Sequence, residues 1–128
     1  MKGRKTLLLD VDETLVHSSF KKTQGQEPHI TLPIEIEGRP FEIYVLVRPG
    51  CRQFLLEVAK YYEVVIFTAS LSKYANPLMD ILDPKRVAPQ RLFREHCTYF
   101  KDQYVKDLSR VGRPMDSVMI IDNSPNSY

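Results

Sequence analysis

The sequence predicts an α/β fold built on a parallel central sheet, and three observations carry that expectation. Three short apolar runs, Thr6 to Val11, Val64 to Phe67 and Val118 to Ile121, read as strands buried on both faces. A segment of helical period lies between the first two runs, and another follows the second. Each run closes on a polar residue: Asp10, Thr68 and Asp122. Strands that alternate with helices imply right-handed crossovers and a shared carboxyl edge, which is where open α/β sheets bind ligands. The three polar ends are therefore expected to converge.

Along the chain, Lys21 to His29 is polar, contains Gly25 and Pro28, and reads as a loop. Ile30 to Ile36 and Phe41 to Val47 then alternate apolar and polar residues about Glu37-Gly38-Arg39-Pro40, the pattern of a β-hairpin. Pro33, which lacks an amide proton, suits an edge strand. Beyond Gly50 the period changes. Phe54, Leu55, Val58, Ala59 and Tyr62 recur at helical spacing, predicting a helix over Cys51 to Tyr62. Ser72 is placed as the cap of a second helix carrying Leu78, Ile81 and Leu82, with Pro77 tolerated only in or near its first turn. Asp83 to Phe100 has no decisive pattern.

A length of 128 residues with 43% hydrophobic content suffices for one domain with a real core. The formal net charge of +2 is too small to argue for nucleic acid or a membrane surface. No apolar run approaches the roughly 20 residues of a membrane span, and the apolar stretch after the basic start is too short for a secretory signal. Cys51 and Cys97 stand apart in no metal or redox spacing, so two reduced thiols in a soluble intracellular protein are expected.

Asp10 and Asp12 concentrate the chemistry. Two carboxylates one residue apart at the end of a buried strand repel unless a cation or a shared proton relieves them. A calcium-binding EF-hand is excluded, because its loop needs Gly sixth and Glu twelfth where this chain has Leu15 and Lys21. A bare acidic pair also occurs in metal-dependent glycosyl transfer, which needs a nucleotide site not visible here. Alone, the pair reads as a polar turn, Thr68 as a β-branched strand residue and Lys106 as a solvated lysine.

Their order changes the reading. Asp10-Val11-Asp12-Glu13-Thr14-Leu15, Phe67-Thr68-Ala69-Ser70, Tyr104-Val105-Lys106-Asp107-Leu108-Ser109 and Ile121-Asp122-Asn123-Ser124-Pro125 resemble the four motifs of the haloacid dehalogenase superfamily. Within it, the chain resembles the small phosphatases of the RNA polymerase II C-terminal domain, from Leu7 to Tyr128. The resemblance implies a Rossmann-like haloacid dehalogenase fold, with 30–47 as a small β-hairpin insertion in a phosphatase domain over residues 1–128. The resembling phosphatases continue with a further strand and helices, so a shortened chain is expected.

What the resemblance implies for the site agrees with the chemistry of each group. Asp10 would be the nucleophile of an aspartyl-phosphate mechanism and a ligand of Mg²⁺. Asp12 would be the general acid and base, its backbone carbonyl also reaching the metal; such a group is worth about 10²–10⁴ in rate. Thr68 and Lys106 would hold the phosphoryl oxygens. Asn123 would give a side-chain oxygen to Mg²⁺, with Asp122 orienting it or binding through water. Phe20, Ile34, Ile36, Ile43, Leu71 and Tyr74 would line an apolar pocket for a proline beside the phosphoserine, and Arg94 would reach the peptide. By period two, Ile34 and Ile36 share a strand face that Ile43 opposes, although the same isoleucines would serve equally as core cover.

The expected substrate is phosphoserine next to proline in the polymerase tail, in the nucleus, with no direct nucleic-acid contact and no membrane span. The alternatives are a phosphatase of another phosphoprotein, as in a nuclear-envelope relative, and an inactive binding scaffold. Intact Asp10, Asp12, Thr68, Lys106 and Asn123 argue against the scaffold.

Overall fold

The computed structural model describes residues 4–22, 25–101, 103–106 and 112–122. In chain order its elements are β1 (Lys5–Leu9), β2 (Val16–Ser19), β3 (Ile30–Ile36), β4 (Arg39–Val47), α1 (Cys51–Val58), β5 (Tyr62–Phe67), α2 (Ser72–Leu82), β6 (Gln90–Leu92), β7 (Thr98–Phe100), β8 (Gln103–Val105) and β9 (Val118–Ile121). Single 3₁₀ turns occupy Arg94–His96 and Met115–Ser117.

Four strands form a parallel sheet in the order β6-β5-β1-β9. From β1 the chain moves outward through β5 to β6, then returns to place β9 on the other side of β1. The strand order thus reverses at β1. Loops leaving the carboxyl ends on either side of such a point diverge and open a crevice. Asp10 follows β1 directly into it.

Alternation along the central strands explains their continuous apolar runs. Leu9, Val64 and Ile66 face a large core with Leu55 of α1 and Leu78, Met79 and Leu82 of α2. Leu8, Val65 and Phe67 face the opposite side, beside Leu92, Val118 and Ile120 of the same sheet. The central residues are thus buried on both faces.

A second, antiparallel sheet in the order β2-β4-β3 grows from the loop after β1. Its hairpin turns on Glu37 (φ 51) and Gly38 (φ 77), two consecutive left-handed residues of the kind that match strand twist in a two-residue turn. The turn is tighter than the four-residue connection expected, so β4 begins at Arg39. Pro40 and Pro33 pair with Glu35 and Glu42, an even number of residues apart along the ladder. With Ile36 and Arg39 as the hydrogen-bonded pair closing the turn, both prolines fall at non-hydrogen-bonded positions, where a missing N–H costs the β3–β4 ladder nothing.

Several elements depart from the sequence expectation. The first strand is Lys5–Leu9, and Val11 lies beyond it in the turn. Helix α1 ends at Val58, because Tyr62 and Glu63 are drawn into β5 by parallel pairing with Lys5 and Thr6. Ser72 is the first residue of α2 and Leu71 its cap; the Ser72 amide donates to Glu95 Oε1 at 3.2 Å. Pro77 sits in the second turn, where burial of Leu78, Met79 and Leu82 carries the helix through it. In the undecided segment, Asp83 caps the chain reversal by accepting the amides of Val87 and Ala88 at 2.9 Å each, and β6 and β7 follow. Cys51 and Cys97 are free thiols. Among the described residues no helix is long and apolar enough to cross a membrane.

At the sheet edge remote from Asp10, Arg113 clasps Glu63 through Nε at 2.7 Å and Nη2 at 2.8 Å, and Thr6 Oγ1 donates to the same carboxylate at 2.8 Å. The Arg113 guanidinium is the main reason the Glu63 carboxyl is held down to about 2 from an ordinary 4.5. A depressed carboxyl stabilises the fold above its unfolded value and loses that contribution as pH falls through the folded one. Glu63→Gln is therefore expected to be less stable at neutral pH and to lose less stability than the parent between pH 4.5 and 2. Urea unfolding across that window checks it; an unchanged acid slope would refute the assignment.

Candidate active site

The carboxyl ends of the parallel strands deliver their polar residues to one place. Asp10 follows β1 and is 7% exposed, Thr68 follows β5 and is 1% exposed, and Asp122 follows β9. Lys106 arrives from the end of β8 and is 2% exposed. Its Nζ stands 3.1 Å from Asp10 Oδ1 and donates as well to Asp122 Oδ2. One ammonium thus bridges two buried carboxylates. The Thr14 hydroxyl lies 3.5 Å from Asp10 Oδ2. Thr68 Oγ1 accepts the Ser70 amide at 3.1 Å, which keeps its own proton for donation.

The loop after β1 is wound tightly enough to present both acids. The amides of Thr14, Leu15 and Val16 all donate to the Val11 carbonyl, and Glu13 turns the chain at φ 64. Asp12, beyond this knot, faces a different environment from Asp10. Its Oδ2 accepts the Ser70 hydroxyl and its Oδ1 accepts the Tyr74 hydroxyl at 3.0 Å. Burial, with Asp12's charge behind it, raises the Tyr74 phenol well above its ordinary value, so it stays a donor.

The charge balance bears on a metal. Burial pushes the Asp10 carboxyl from 3.8 up to about 6, with Lys106 opposing and Asp122 adding to the rise. Lys106 brings one positive charge to these two carboxylates. Paired carboxylate oxygens fit Mg²⁺, which binds through one or two carboxylates plus phosphate oxygens and water. Among the described residues no three Asp, Glu, His or Cys side chains gather at a point, and Asp10 and Asp122 are the two carboxylates that Lys106 brings together. Asn123, the expected amide ligand, lies outside the described residues.

Beside this cluster opens a pocket of about 450 Å³. Phe20, Ile34, Ile36 and Ile43 line it from the hairpin sheet, and Leu71, Tyr74 and Arg94 from the side of α2. Asp12 lines its inner end. All seven residues expected around a substrate therefore border one cavity, which Asp12 also lines. Arg94 is held by Nε donation to the Ala69 carbonyl at 2.7 Å, and its guanidinium carbon lies 4.8 Å from the Tyr104 ring centroid.

A family model described as NLI interacting factor-like phosphatase matches residues 5–128. The chain belongs to this family. It is 55% identical over 126 residues to a probable C-terminal domain small phosphatase of Dictyostelium discoideum, covering 98% of this chain and 40% of that protein. It is 50% identical to Phosphatase PSR1 of Saccharomyces cerevisiae, over 99% of this chain and 29% of the relative. The human CTD small phosphatase-like protein is 49% identical, over 98% and 45% respectively. The chain thus spans less than half the length of these relatives. Two structures of Fcp1, an RNA polymerase II CTD phosphatase, share its fold. The fission yeast protein bound to beryllium fluoride gives a TM-score of 0.82 at 22% identity over 98% of this chain and 38% of that one. The other gives 0.83, also at 22% identity, over 98% and 39%. The fold is the α/β haloacid dehalogenase type, with the hairpin sheet inserted.

Three residues that line the pocket were not singled out for the site from sequence. Ser70 holds Asp12, Ser18 lies 2.9 Å from the Tyr74 hydroxyl, and Lys73 donates to the Glu35 carbonyl at 2.8 Å across the pocket mouth. Serines carry no periodic signal, and only their contacts distinguish them, Ser70 with Asp12 and Ser18 with Tyr74.

Proposed function

We propose that this chain is a Mg²⁺-dependent protein serine phosphatase working through an aspartyl-phosphate on Asp10, with phosphoserine next to proline, as in RNA polymerase II C-terminal repeats, as its substrate. The observation that carries the reading is the buried Asp10–Lys106–Asp122 cluster with Asp12, two residues on from Asp10, lining an adjoining pocket of largely apolar walls. Family membership and the named relatives support it from the side of sequence.

The chain's own groups account for the bond changes and proton transfers of the reaction. Asp10 attacks phosphorus as the bond to the seryl oxygen breaks, and Asp12 gives that oxygen its proton. Water then attacks phosphorus of the acyl phosphate on Asp10 and surrenders a proton to Asp12, while the bond between phosphorus and the Asp10 oxygen breaks to return the carboxylate and release inorganic phosphate. Lys106 and the Thr68 hydroxyl face the charge that moves onto the phosphoryl oxygens. Asp10 and Asp122, with the Asp12 carbonyl and Asn123, would hold Mg²⁺, which would supply the positive charge that lets a carboxylate meet a phosphate dianion. The pocket takes the proline, which enters with little backbone freedom to lose. A polymerase-tail substrate would also place the protein in the nucleus.

Hydrolysis of 4-nitrophenyl phosphate tests the chemistry. Turnover is expected with Mg²⁺, its loss in EDTA, and its return on adding Mg²⁺ back. Phosphoserine peptides with and without the adjacent proline test the pocket, with a preference of about tenfold in kcat/KM for proline. Turnover that survives EDTA would reject the metal, and equal use of both peptides would reject the pocket assignment.

A further inference from the structure

Both carboxylate oxygens of Asp12 are gripped by hydroxyls that reach it from distant parts of the chain. Ser70 donates to Oδ2 from the loop after β5, and Tyr74 donates to Oδ1 from the first turn of α2. Each donor is itself fixed. The Ser70 amide donates to Thr68 Oγ1 at 3.1 Å, and its carbonyl accepts the Arg94 amide at 2.9 Å. The Tyr74 ring is buried against the main core, with its hydroxyl 2.9 Å from Ser18 Oγ. Asp12 is only half-buried and sits on a turn, where an unrestrained carboxyl would swing toward water.

We propose that Ser70 and Tyr74 are positioning residues that aim the Asp12 carboxyl at the leaving oxygen. The inference rests on the phosphatase reading, in which Asp12 is the general acid. It goes further in assigning how that acid is directed: by two hydroxyls that need not touch the substrate's reacting atoms. Tyr74 also lines the pocket, so one side chain joins the wall of the peptide site to the acid.

A proton donor matters in proportion to the basicity of what departs. 4-Nitrophenolate leaves readily without a proton, phenolate less so, and a seryl alkoxide hardly at all. The ratio kcat/KM covers the steps up to departure of the leaving group, so it isolates this role from the later hydrolysis of the intermediate. Ser70→Ala and Tyr74→Phe are each expected to lose about tenfold more in kcat/KM on phenyl phosphate than on 4-nitrophenyl phosphate. Ser70→Thr, which restores the hydroxyl, is expected to stay within about twofold of the parent on both esters. Equal losses on the two esters, or none in either variant, would overturn the positioning role. Tyr74→Phe keeps the ring and its packing, so the comparison stands even if Ser70→Ala folds poorly. Should the parent protein hydrolyse neither ester, the phosphatase reading itself fails and this inference falls with it.

Discussion

Asp10→Asn is expected to lower turnover of any phosphate ester by roughly a thousandfold or more, while making the metal-free protein more stable. The two effects have one origin. An amide cannot form the acyl-phosphate, so the covalent route closes. The same amide cannot ionise, and it is ionisation of Asp10 that the metal-free fold resists. Burial and the neighbouring Asp122 charge raise this carboxyl to about 6 from 3.8, with Lys106 opposing. A raised carboxyl means that the folded chain binds more protons than the unfolded one between those values, so its contribution to stability falls as pH rises through that window.

Parent and variant should accordingly be alike in stability below pH 3.8, and the variant should be ahead above pH 6. The advantage is roughly 1–2 kcal/mol once partial screening and the altered contact with Lys106 are allowed for. Urea unfolding in EDTA across this range measures it. A variant less stable at both extremes would mean that Asp10 serves the fold as a salt-bridge partner and stores no charge strain for catalysis. Stability given up at a reactive group is the usual relation between function and fold.

How much of this was legible in the sequence depends on the length scale of each signal. The runs around Leu8, Val65 and Ile120 declared buried strands because a parallel sheet covered on both faces demands unbroken apolar residues. Their polar ends then converged by topology alone. Strands β2 and β6, four and three residues long, were not assigned, because pairing with β4 and β5 creates them and no local pattern does. The hairpin was visible, but not its Glu37-Gly38 turn, since Glu is a poor advertisement for a left-handed backbone. Pro77 is tolerated by local preference only in or near the first turn, and the core contacts of α2 carry the helix through it in the second. The pocket residues could be named from resemblance, whereas Ser70 and Ser18 acquire meaning only through contacts spanning more than fifty residues.

Replacing Lys106 tests the opposite side of the same balance. Lys106→Met keeps a long unbranched side chain in a site where the lysine is 2% exposed, but it leaves Asp10 and Asp122 buried without their shared cation. Removing one partner of a buried ion pair costs about 3–5 kcal/mol, because the orphaned charge stays desolvated. Here two carboxylates of like sign lose their shared cation, and they can relieve the repulsion by taking up a proton. The destabilisation should therefore be severe at pH 8 and smaller at pH 5. Adding Asp10→Asn to Lys106→Met should recover part of the loss, since the doubly substituted site holds one carboxylate in place of two. Mg²⁺ should raise the Tm of Lys106→Met more than that of the parent, because a divalent cation replaces the charge the substitution removed. Turnover of an aryl phosphate should still fall by about 10²–10³, since the ammonium that meets the developing phosphoryl charge is gone. A Lys106→Met protein as stable as the parent at pH 8, with no response to Mg²⁺, would show that the two carboxylates do not share a site with the lysine, and the cluster on which the catalytic reading stands would be dissolved.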